Sequence, residues 1–243
     1  MAANPAAVAL PPGPAHGRSG PTSYNRRPMA SLTRLGADEL RAAVASFRDA
    51  LAAHKEGINR LNVYPVPDGD TGTNMALTAL AVCEEVDRCD GELASVCKAI
   101  SHGSLMGARG NSGVILSQIL RGMASVVADA GGLDGAVAAK ALASASDAAY
   151  QAVMRPVEGT ILTVVREASE AAIAAAGDGA DLVAVLEAAR AQGADALSRT
   201  PDMLPVLKEA GVVDAGGTGF LLLLDALLHR VDGRPLPEPE EVL

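Results

Sequence analysis

Aromatic residues are almost absent from this sequence: there is no tryptophan, and only three tyrosines and two phenylalanines occur among 243 residues. Strands are typically rich in aromatic and β-branched residues, whereas alanine and leucine favour helices. Apolar residues nevertheless make up 49% of the chain, which is ample for a hydrophobic core. No segment forms a convincing strand. We therefore expect an all-α fold of close-packed helices with small residues at the crossings.

Positive charge is also scarce, because 20 Lys and Arg residues face 29 Asp and Glu residues and the net charge is -9. Non-specific nucleic-acid binding depends on basic side chains that neutralise phosphates, so we expect no nucleic-acid partner. A local site for a nucleotide is not excluded. Cys83, Cys89 and Cys97 lack C-x-x-C spacing, which predicts reduced thiols in a cytoplasmic protein. The four histidines show no zinc-ligand spacing.

Targeting signals are missing as well. The N-terminus has no basic region followed by an apolar core and a cleavage site, and we expect no apolar run long and charge-free enough to span a membrane. Residues 1–34 are rich in Pro, Gly, Ala and Ser and are predicted to be a disordered extension. Residues 35–232 are predicted to form the folded domain, and residues 233–243 to be an extended, acidic, Pro-rich linker or tail.

The apolar periodicity predicts about eight helices joined by Gly-rich connections. The first is expected to be capped by Asp38 and to end near His54. The others are predicted at 74–89, 92–103, 114–128, 133–154, 160–176, 181–199, a short helix ending near 210, and 220–231.

The first group of candidate ligand side chains lies in the segment 61–75, which reads LNVYPVPDGDTGTNM. Asp68 and Asp70 repel each other unless they are exposed, share a proton or hold a cation. Hard divalent cations prefer carboxylate, amide and hydroxyl oxygens, so the segment predicts a Mg²⁺ site at a helix start. Further candidate ligands are Asn62, Thr71 and Thr73. A well-capped turn is the alternative interpretation.

Glycine-rich loops are predicted at three helix starts: 69–73, 107–113 and 216–219. Helix N-termini present unpaired N–H groups and a positive dipole end, which suit a phosphate. In the loop 107–113, Asn111 or Ser112 can cap the helix and Arg109 adds a charge. The loop lacks the Gly-Lys-Ser/Thr ending of a Walker A motif and no strand precedes it. Helix entry alone would also explain its composition.

Two further segments carry candidate polar groups. Residues 155–160 read RPVEGT and place a cation, a carboxylate and a hydroxyl at a helix start. A capped turn with a surface ion pair would explain them equally well. Asp214 is either a helix cap or a residue of the same cleft.

Taken in order, these segments resemble the ATP-binding domain of the dihydroxyacetone kinase family, in the branch found at the N-terminus of bacterial fatty acid kinases. The resemblance covers about residues 35–231 and is carried by 61–75, by 107–120 (GARGNSGVILSQIL), by 155–164 (RPVEGTILTV) and by 211–219 (GVVDAGGTG). It implies an antiparallel eight-helix barrel with ATP at one end, its phosphates held by Mg²⁺ ions that acidic residues chelate.

The resemblance also implies residue roles. Asp68 and Asp70 match the metal carboxylates and are the implied catalytic residues. Asn62 stands where dihydroxyacetone kinases have a third aspartate, so the third metal ligand stays open. The residues implied to contact ATP or ADP are Thr71, Thr73, Asn74, Gly107, Ala108, Arg109, Gly110, Asn111, Ser112, Gly113, Thr160 and Asp214.

Three functions remain open at this point. The leading hypothesis is an ATP- and Mg²⁺-dependent domain of a fatty acid kinase, which makes an acyl phosphate from a fatty acid carried by a DegV-like fatty-acid-binding protein. The second is a dihydroxyacetone (glycerone)-type kinase with a small-ketone-binding subunit. The third is a nucleotide-binding regulatory module without transfer activity. A homodimer is compatible with each of them.

Overall fold

The computed structural model describes residues 31–239, and the regular secondary structure in this range is helical. The helices in chain order are α1 (Ala37–Leu61), α2 (Thr71–Arg88), α3 (Leu93–Gly107), α4 (Gly110–Ala130), α5 (Gly135–Gln151), α6 (Ile161–Gly177), α7 (Leu182–Met203), α8 (Pro205–Ala210) and α9 (Ala215–Asp232). The only β pairing in the described range is an isolated bridge between Leu35 and Leu133. The all-α prediction is confirmed.

The helices form a closed ring. Each long helix from α1 to α7 packs against the next, and α9 packs against both α7 and α1, while the short α8 joins α7 to α9. Neighbouring helices with short connections run antiparallel. The expected antiparallel barrel of eight long helices is therefore confirmed.

In this antiparallel ring, successive connections between the long helices alternate between the two ends. The connections α1–α2, α3–α4, α5–α6 and α8–α9 all lie at one end, which we call the cleft end. Helices α2, α4, α6 and α9 therefore begin at the cleft end. Because each helix N-terminus carries a partial positive charge, four positive dipole ends converge there.

Small residues allow the helices to approach closely, as the composition predicts. A Cβ atom at Gly107 of α3 would overlap the Cβ atom of Ala81 in α2, and one at Gly122 of α4 would lie 2.7 Å from the carbonyl oxygen of Ser144 in α5. The two phenylalanines, Phe47 and Phe220, are fully buried. The core thus fills its volume with aliphatic side chains and two rings.

Several predicted helix boundaries were wrong. Helix α1 begins at Ala37 with Gly36 as its N-cap, so Asp38 lies in the first turn, and the helix ends at Leu61 rather than at His54. Helices α2, α4 and α9 begin three to five residues earlier than expected. The reason is the same in all three: their first turns contain glycines, which a sequence pattern assigns to a loop but which helices tolerate in the first turn.

The predicted termini lie partly outside the described residues, which exclude 1–30 and 240–243. Leu32 already donates its N–H to the Val231 carbonyl oxygen at 2.8 Å. At the other end, Leu236 packs against the core, and a ring nitrogen of His54 lies 3.0 Å from the Pro237 carbonyl oxygen. The predicted linker therefore lies against the domain as far as Pro237. The domain boundaries themselves stay predictions.

The expectation about apolar runs needs one correction. By length and composition alone, α4 (Gly110–Ala130) could cross a membrane. Core helices of water-soluble proteins pass the same test. Helix α4 packs between α3 and α5 in the ring, and it buries residues such as Leu116, Ile119 and Leu120.

Candidate functional site

A cavity of about 520 Å³ opens at the cleft end. Its walls come from residues 62–71, 110–115, 152–162 and 214–216, so all four connections at this end contribute. These are the four segments that carry the chemistry in the sequence. The volume falls within the range of about 300–1,000 Å³ that is usual for small-molecule sites.

The structure brings most of the predicted site residues together and leaves others behind the wall. Those that line the cavity are Asn62, Asp68, Asp70, Thr71, Gly110, Asn111, Ser112, Thr160 and Asp214. Those that do not line it are Thr73, Asn74, Gly107, Ala108, Arg109 and Gly113. Thr73, Asn74 and Arg109 of the second group make hydrogen bonds or close contacts at the starts of α2 and α4.

Asp68 and Asp70 flank Gly69, which turns the chain with a φ of 66°. Asp70 is the N-cap residue of α2, but its side chain makes no capping hydrogen bond. Asp68 is exposed. A capped turn therefore does not explain the two carboxylates, whose oxygens stay available to a ligand. Within residues 31–239, no cluster of three or more His, Cys, Asp or Glu side chains could hold a metal.

The Asn62 side chain stabilises the loop that leads into α2. Its side chain is buried, and its Oδ1 atom accepts hydrogen bonds from the N–H groups of Asp70 and Thr71, both at 3.1 Å. Its Nδ2 atom donates to the Val66 carbonyl oxygen at 3.0 Å. Both lone pairs of the amide oxygen are thus engaged. That Asn62 is a metal ligand stays a prediction.

Thr73 and Asn74 lie behind the cavity wall. The Thr73 hydroxyl and N–H are both bonded to the Asn59 side chain, each at 3.0 Å, a pairing that the sequence analysis missed. The Asn74 amide packs so closely on Gly110 that a Cβ atom there would overlap it. Gly110 also has a φ of 58°, a conformation that suits glycine.

Helix α4 begins without a side-chain cap. Its N-cap residue is Arg109, and neither Asn111 nor Ser112 caps it, contrary to expectation. The Arg109 N–H donates instead to the hydroxyl of the fully buried Thr78, at 3.3 Å. Thr78 was missed because nothing in its local sequence distinguishes it from a core residue. Gly110, Asn111 and Ser112 line the cavity, so the first turn of α4 faces it.

The other three long helices that begin at the cleft end have side-chain acceptors. Asn62 and Asn59 serve α2. The Thr160 hydroxyl accepts from the Leu162 N–H at the start of α6. Asp214 accepts from the Gly217 N–H at the start of α9, at 2.6 Å. Of the four long helices that begin at the cleft end, α4 therefore presents the uncapped N-terminus, which makes it the best-suited anion site of the four.

Asp214 is a buried carboxyl group in the cavity wall, with 7% of its surface exposed. Burial raises the pKa of Asp214 to about 6, although hydrogen bonds from the backbone N–H groups of Gly217, Ile161 and Gly216 act in the opposite direction. Because Ile161 begins α6 and Gly217 lies in the first turn of α9, one carboxyl group joins two helix starts.

Asp214→Asn should remove a pH-dependent part of the stability. Above the unfolded-state pKa of about 4, the folded protein still holds a proton that the unfolded chain has lost, so this carboxyl favours folding less as pH rises through 6. The contribution lost is on the order of 2–3 kcal/mol. Urea unfolding at pH 4.5 and pH 7 should show that Asp214→Asn gains stability relative to the unsubstituted protein at the higher pH. Asp181→Asn, at the exposed cap of α7, is the control, and an equal response of both variants would contradict this explanation.

The segment 152–160 closes the side of the cavity. Arg155 is the one cationic side chain among the described lining residues. The Thr160 hydroxyl donates to the Val157 carbonyl oxygen at 2.8 Å, which folds the segment back on itself. Glu158 does not line the cavity. An apolar wall was missed, because its members resemble core residues in sequence: Val114, Ile115, Ile161 and Leu162.

The sequence matches a known protein family. The family model of the DAK2 domain matches residues 65–229. The chain belongs to the DAK2 domain family. Protein YloV of Bacillus subtilis is 44% identical over 189 residues, which cover 77% of this chain and 34% of that protein. A Staphylococcus haemolyticus protein is 44% identical over 194 residues, which cover 79% of this chain and 35% of that protein. The chain thus spans about a third of the length of these relatives.

A solved structure shares the fold. The dihydroxyacetone kinase of C. freundii, in complex with AMP-PNP and Mg²⁺, superposes with a TM-score of 0.56 at 19% identity, covering 90% of this chain and 38% of that one. Its native form gives a TM-score of 0.55. This DAK2 domain therefore shares the all-α fold of a part of that kinase.

Proposed function

We propose that this DAK2 domain binds Mg-ATP at the cleft end and is the nucleotide-binding part of a fatty acid kinase. One observation carries the proposal: the uncapped start of α4 and the carboxylates of Asp68 and Asp70 line the same cavity. An anion site and a cation site in one cavity suit a metal–phosphate ligand, because Mg²⁺ is commonly held by one or two carboxylates and by substrate phosphates.

The residues present fit such a ligand. In this proposal, phosphate oxygens accept from the N–H groups of Gly110–Ser112. The base of the nucleotide is covered by the apolar wall, which consists of Val114, Ile115, Ile161 and Leu162. Asp68 and Asp70 would supply two carboxylates to hold Mg²⁺. Nucleotide binding to a protein with a net charge of -9 depends on local neutralisation, which the four helix starts and Arg155 also provide.

The chemistry in this proposal is positioning and charge stabilisation, as in phosphoryl transfer generally. Bound Mg²⁺ would neutralise charge that develops on the transferred phosphoryl group. Arg155 offers a cation at the side of the cavity, and the first turn of α4 holds phosphate oxygens in a fixed place. No general base is required if the acceptor is a carboxylate, since it is already ionised at neutral pH.

The acceptor that we propose is the carboxylate of a fatty acid carried by a DegV-like fatty-acid-binding protein. Its support is the resemblance of segment 61–75 to the fatty acid kinase branch, with asparagine at position 62. Dihydroxyacetone held by a ketone-binding subunit is the second candidate, favoured by the structural likeness to the C. freundii enzyme. A regulatory module that binds nucleotide without transferring phosphate is the third.

A transfer assay separates the three candidates. The protein is incubated with ATP labelled with ³²P at the γ-position, together with fatty acid on a lipid-binding partner or dihydroxyacetone on its subunit. An acyl phosphate is cleaved by hydroxylamine, whereas a phosphate ester of dihydroxyacetone is not. We expect hydroxylamine-sensitive label with the fatty acid, and none with Asp68→Asn. Hydroxylamine-resistant label, or nucleotide binding without transfer to either acceptor, would contradict the proposed acceptor and favour the second or third candidate.

A further inference from the structure

A hydrogen-bonded cluster lies beside the cavity on the outer side of segment 152–160. The Tyr150 hydroxyl donates to Glu158 Oε1 at 2.8 Å, the Thr163 hydroxyl donates to Glu158 Oε2 at 2.6 Å, and Arg166 Nη2 donates to Glu158 Oε2 at 3.2 Å. We call these four residues the Glu158 cluster. The cluster joins the last turn of α5 to the first two turns of α6.

The cluster is connected to the cavity wall through the backbone. The Thr163 hydroxyl, which donates to Glu158, also accepts from the Gly159 N–H at 2.9 Å. Gly159 has a φ of 81° and packs so tightly that a Cβ atom would lie 2.9 Å from the Met203 Cβ atom. The next residue, Thr160, caps α6 and lines the cavity. One carboxylate therefore ties down both ends of the segment that contains Arg155.

The bonds to Glu158 are of the strong, charge-assisted kind. Burial acts to raise the pKa of Glu158, but hydrogen bonds from Thr163, Tyr150 and Arg166 outweigh it and keep the pKa below its usual value. Glu158 is thus a carboxylate at neutral pH. By contrast, Met154 within the segment is fully exposed.

We propose that Glu158 is a positioning residue: by binding Tyr150 and Thr163, it holds segment 152–160 so that Arg155 and Thr160 face the nucleotide phosphates. The proposal rests on the proposed function, since it assumes that a nucleotide occupies the cavity. Glu158 itself does not line the cavity.

Glu158→Gln tests the proposal, because glutamine keeps the size of the side chain but removes its charge. Titration calorimetry with Mg-AMP-PNP should show binding about tenfold weaker. Glu170→Gln is the matched control: Glu170 accepts from the same Arg166, at 3.0 Å, but lies one turn further along α6. The affinity of the Glu170→Gln variant for Mg-AMP-PNP should stay within about twofold of that of the unsubstituted protein. Equal affinities of both variants, or a lower unfolding temperature of Glu158→Gln with unchanged affinity, would overturn the proposal.

A double-mutant cycle tests whether the effect passes through Arg155. Arg155→Ala should weaken Mg-AMP-PNP binding about tenfold, and adding Glu158→Gln should weaken it by no more than about a further twofold. Independent, multiplying effects would show that Glu158 acts by another route and would contradict the proposal.

Amide hydrogen exchange tests the positioning without nucleotide. Glu158→Gln should speed exchange of the Gly159 N–H at least about fivefold, whereas Glu170→Gln should not. Glutamine has one acceptor oxygen instead of two and no charge, so it holds the Thr163 hydroxyl, the acceptor of that N–H, less firmly. Unchanged exchange would refute the positioning itself. Faster exchange in a protein that binds no nucleotide would instead refute the proposed function and leave the cluster as a purely structural device.

Discussion

Replacing Asp68 and Asp70 together by asparagine should weaken Mg-AMP-PNP binding at least about a hundredfold, or about 3 kcal/mol. Asparagine keeps the shape of each side chain but removes the charge that a hard cation requires. The fold should survive, because Asp68 is exposed and the Asp70 side chain does not cap α2. Titration calorimetry measures the affinity, and far-ultraviolet circular dichroism measures the helix content.

The same variant should also bind nucleotide differently when Mg²⁺ is absent. Without Mg²⁺, the two carboxylates repel the nucleotide phosphates, so the double substitution should leave metal-free binding unchanged or strengthen it. Glu84→Gln combined with Asp87→Asn, at two exposed sites on α2 outside the cavity, controls for the change of two units in net charge. If the double variant kept the full effect of Mg²⁺ on affinity, the two aspartates would not be the metal carboxylates.

Asn62→Ala should destabilise the protein by about 2–4 kcal/mol. It removes the acceptor of the Asp70 and Thr71 N–H groups and the donor to the Val66 carbonyl oxygen, at a buried position. Nucleotide affinity should fall too, since the same side chain shapes the loop that carries Asp68. Urea unfolding measures the change in the free energy of unfolding.

Two comparisons sharpen this prediction. Asn62→Asp keeps an acceptor at the start of α2, where the helix dipole favours negative charge, so it should cost less than Asn62→Ala. Asn111→Ala, at the start of α4 where no side-chain cap is formed, should stay within about 0.5 kcal/mol of the unsubstituted protein. Equal stabilities of Asn62→Ala and Asn111→Ala would show that Asn62 is not the cap.

The fold was largely predictable because its signals are local. Alanine- and leucine-rich segments with helical periodicity mark each long helix, and the alternation of helix ends in an antiparallel ring then places four connections at one end. The starts of α2, α4 and α9 were misplaced because their first turns contain Gly72, Gly110 and Gly216. A glycine in a first turn and a glycine in a loop look the same in sequence.

The site was predictable only in part. Asp68, Asp70 and the residues at the start of α4 stand out by chemistry and spacing, and they do line the cavity. The roles of Asn62, Asn59 and Thr78 were not predictable, because they depend on hydrogen bonds between residues 8 to 31 positions apart. Spacing along the chain identifies reactive groups, whereas the three-dimensional structure shows which polar groups are already satisfied and which remain free for a ligand.

The most direct measurement is a calorimetric titration of the unsubstituted protein with AMP-PNP, with Mg²⁺ and then with excess chelator. In our proposal, the start of α4 and the two aspartates form one metal–nucleotide site. The proposal predicts saturable binding of one nucleotide per chain, weakened at least about tenfold by the chelator. A folded protein that shows no saturable binding, or binding that Mg²⁺ does not affect, would contradict the proposal.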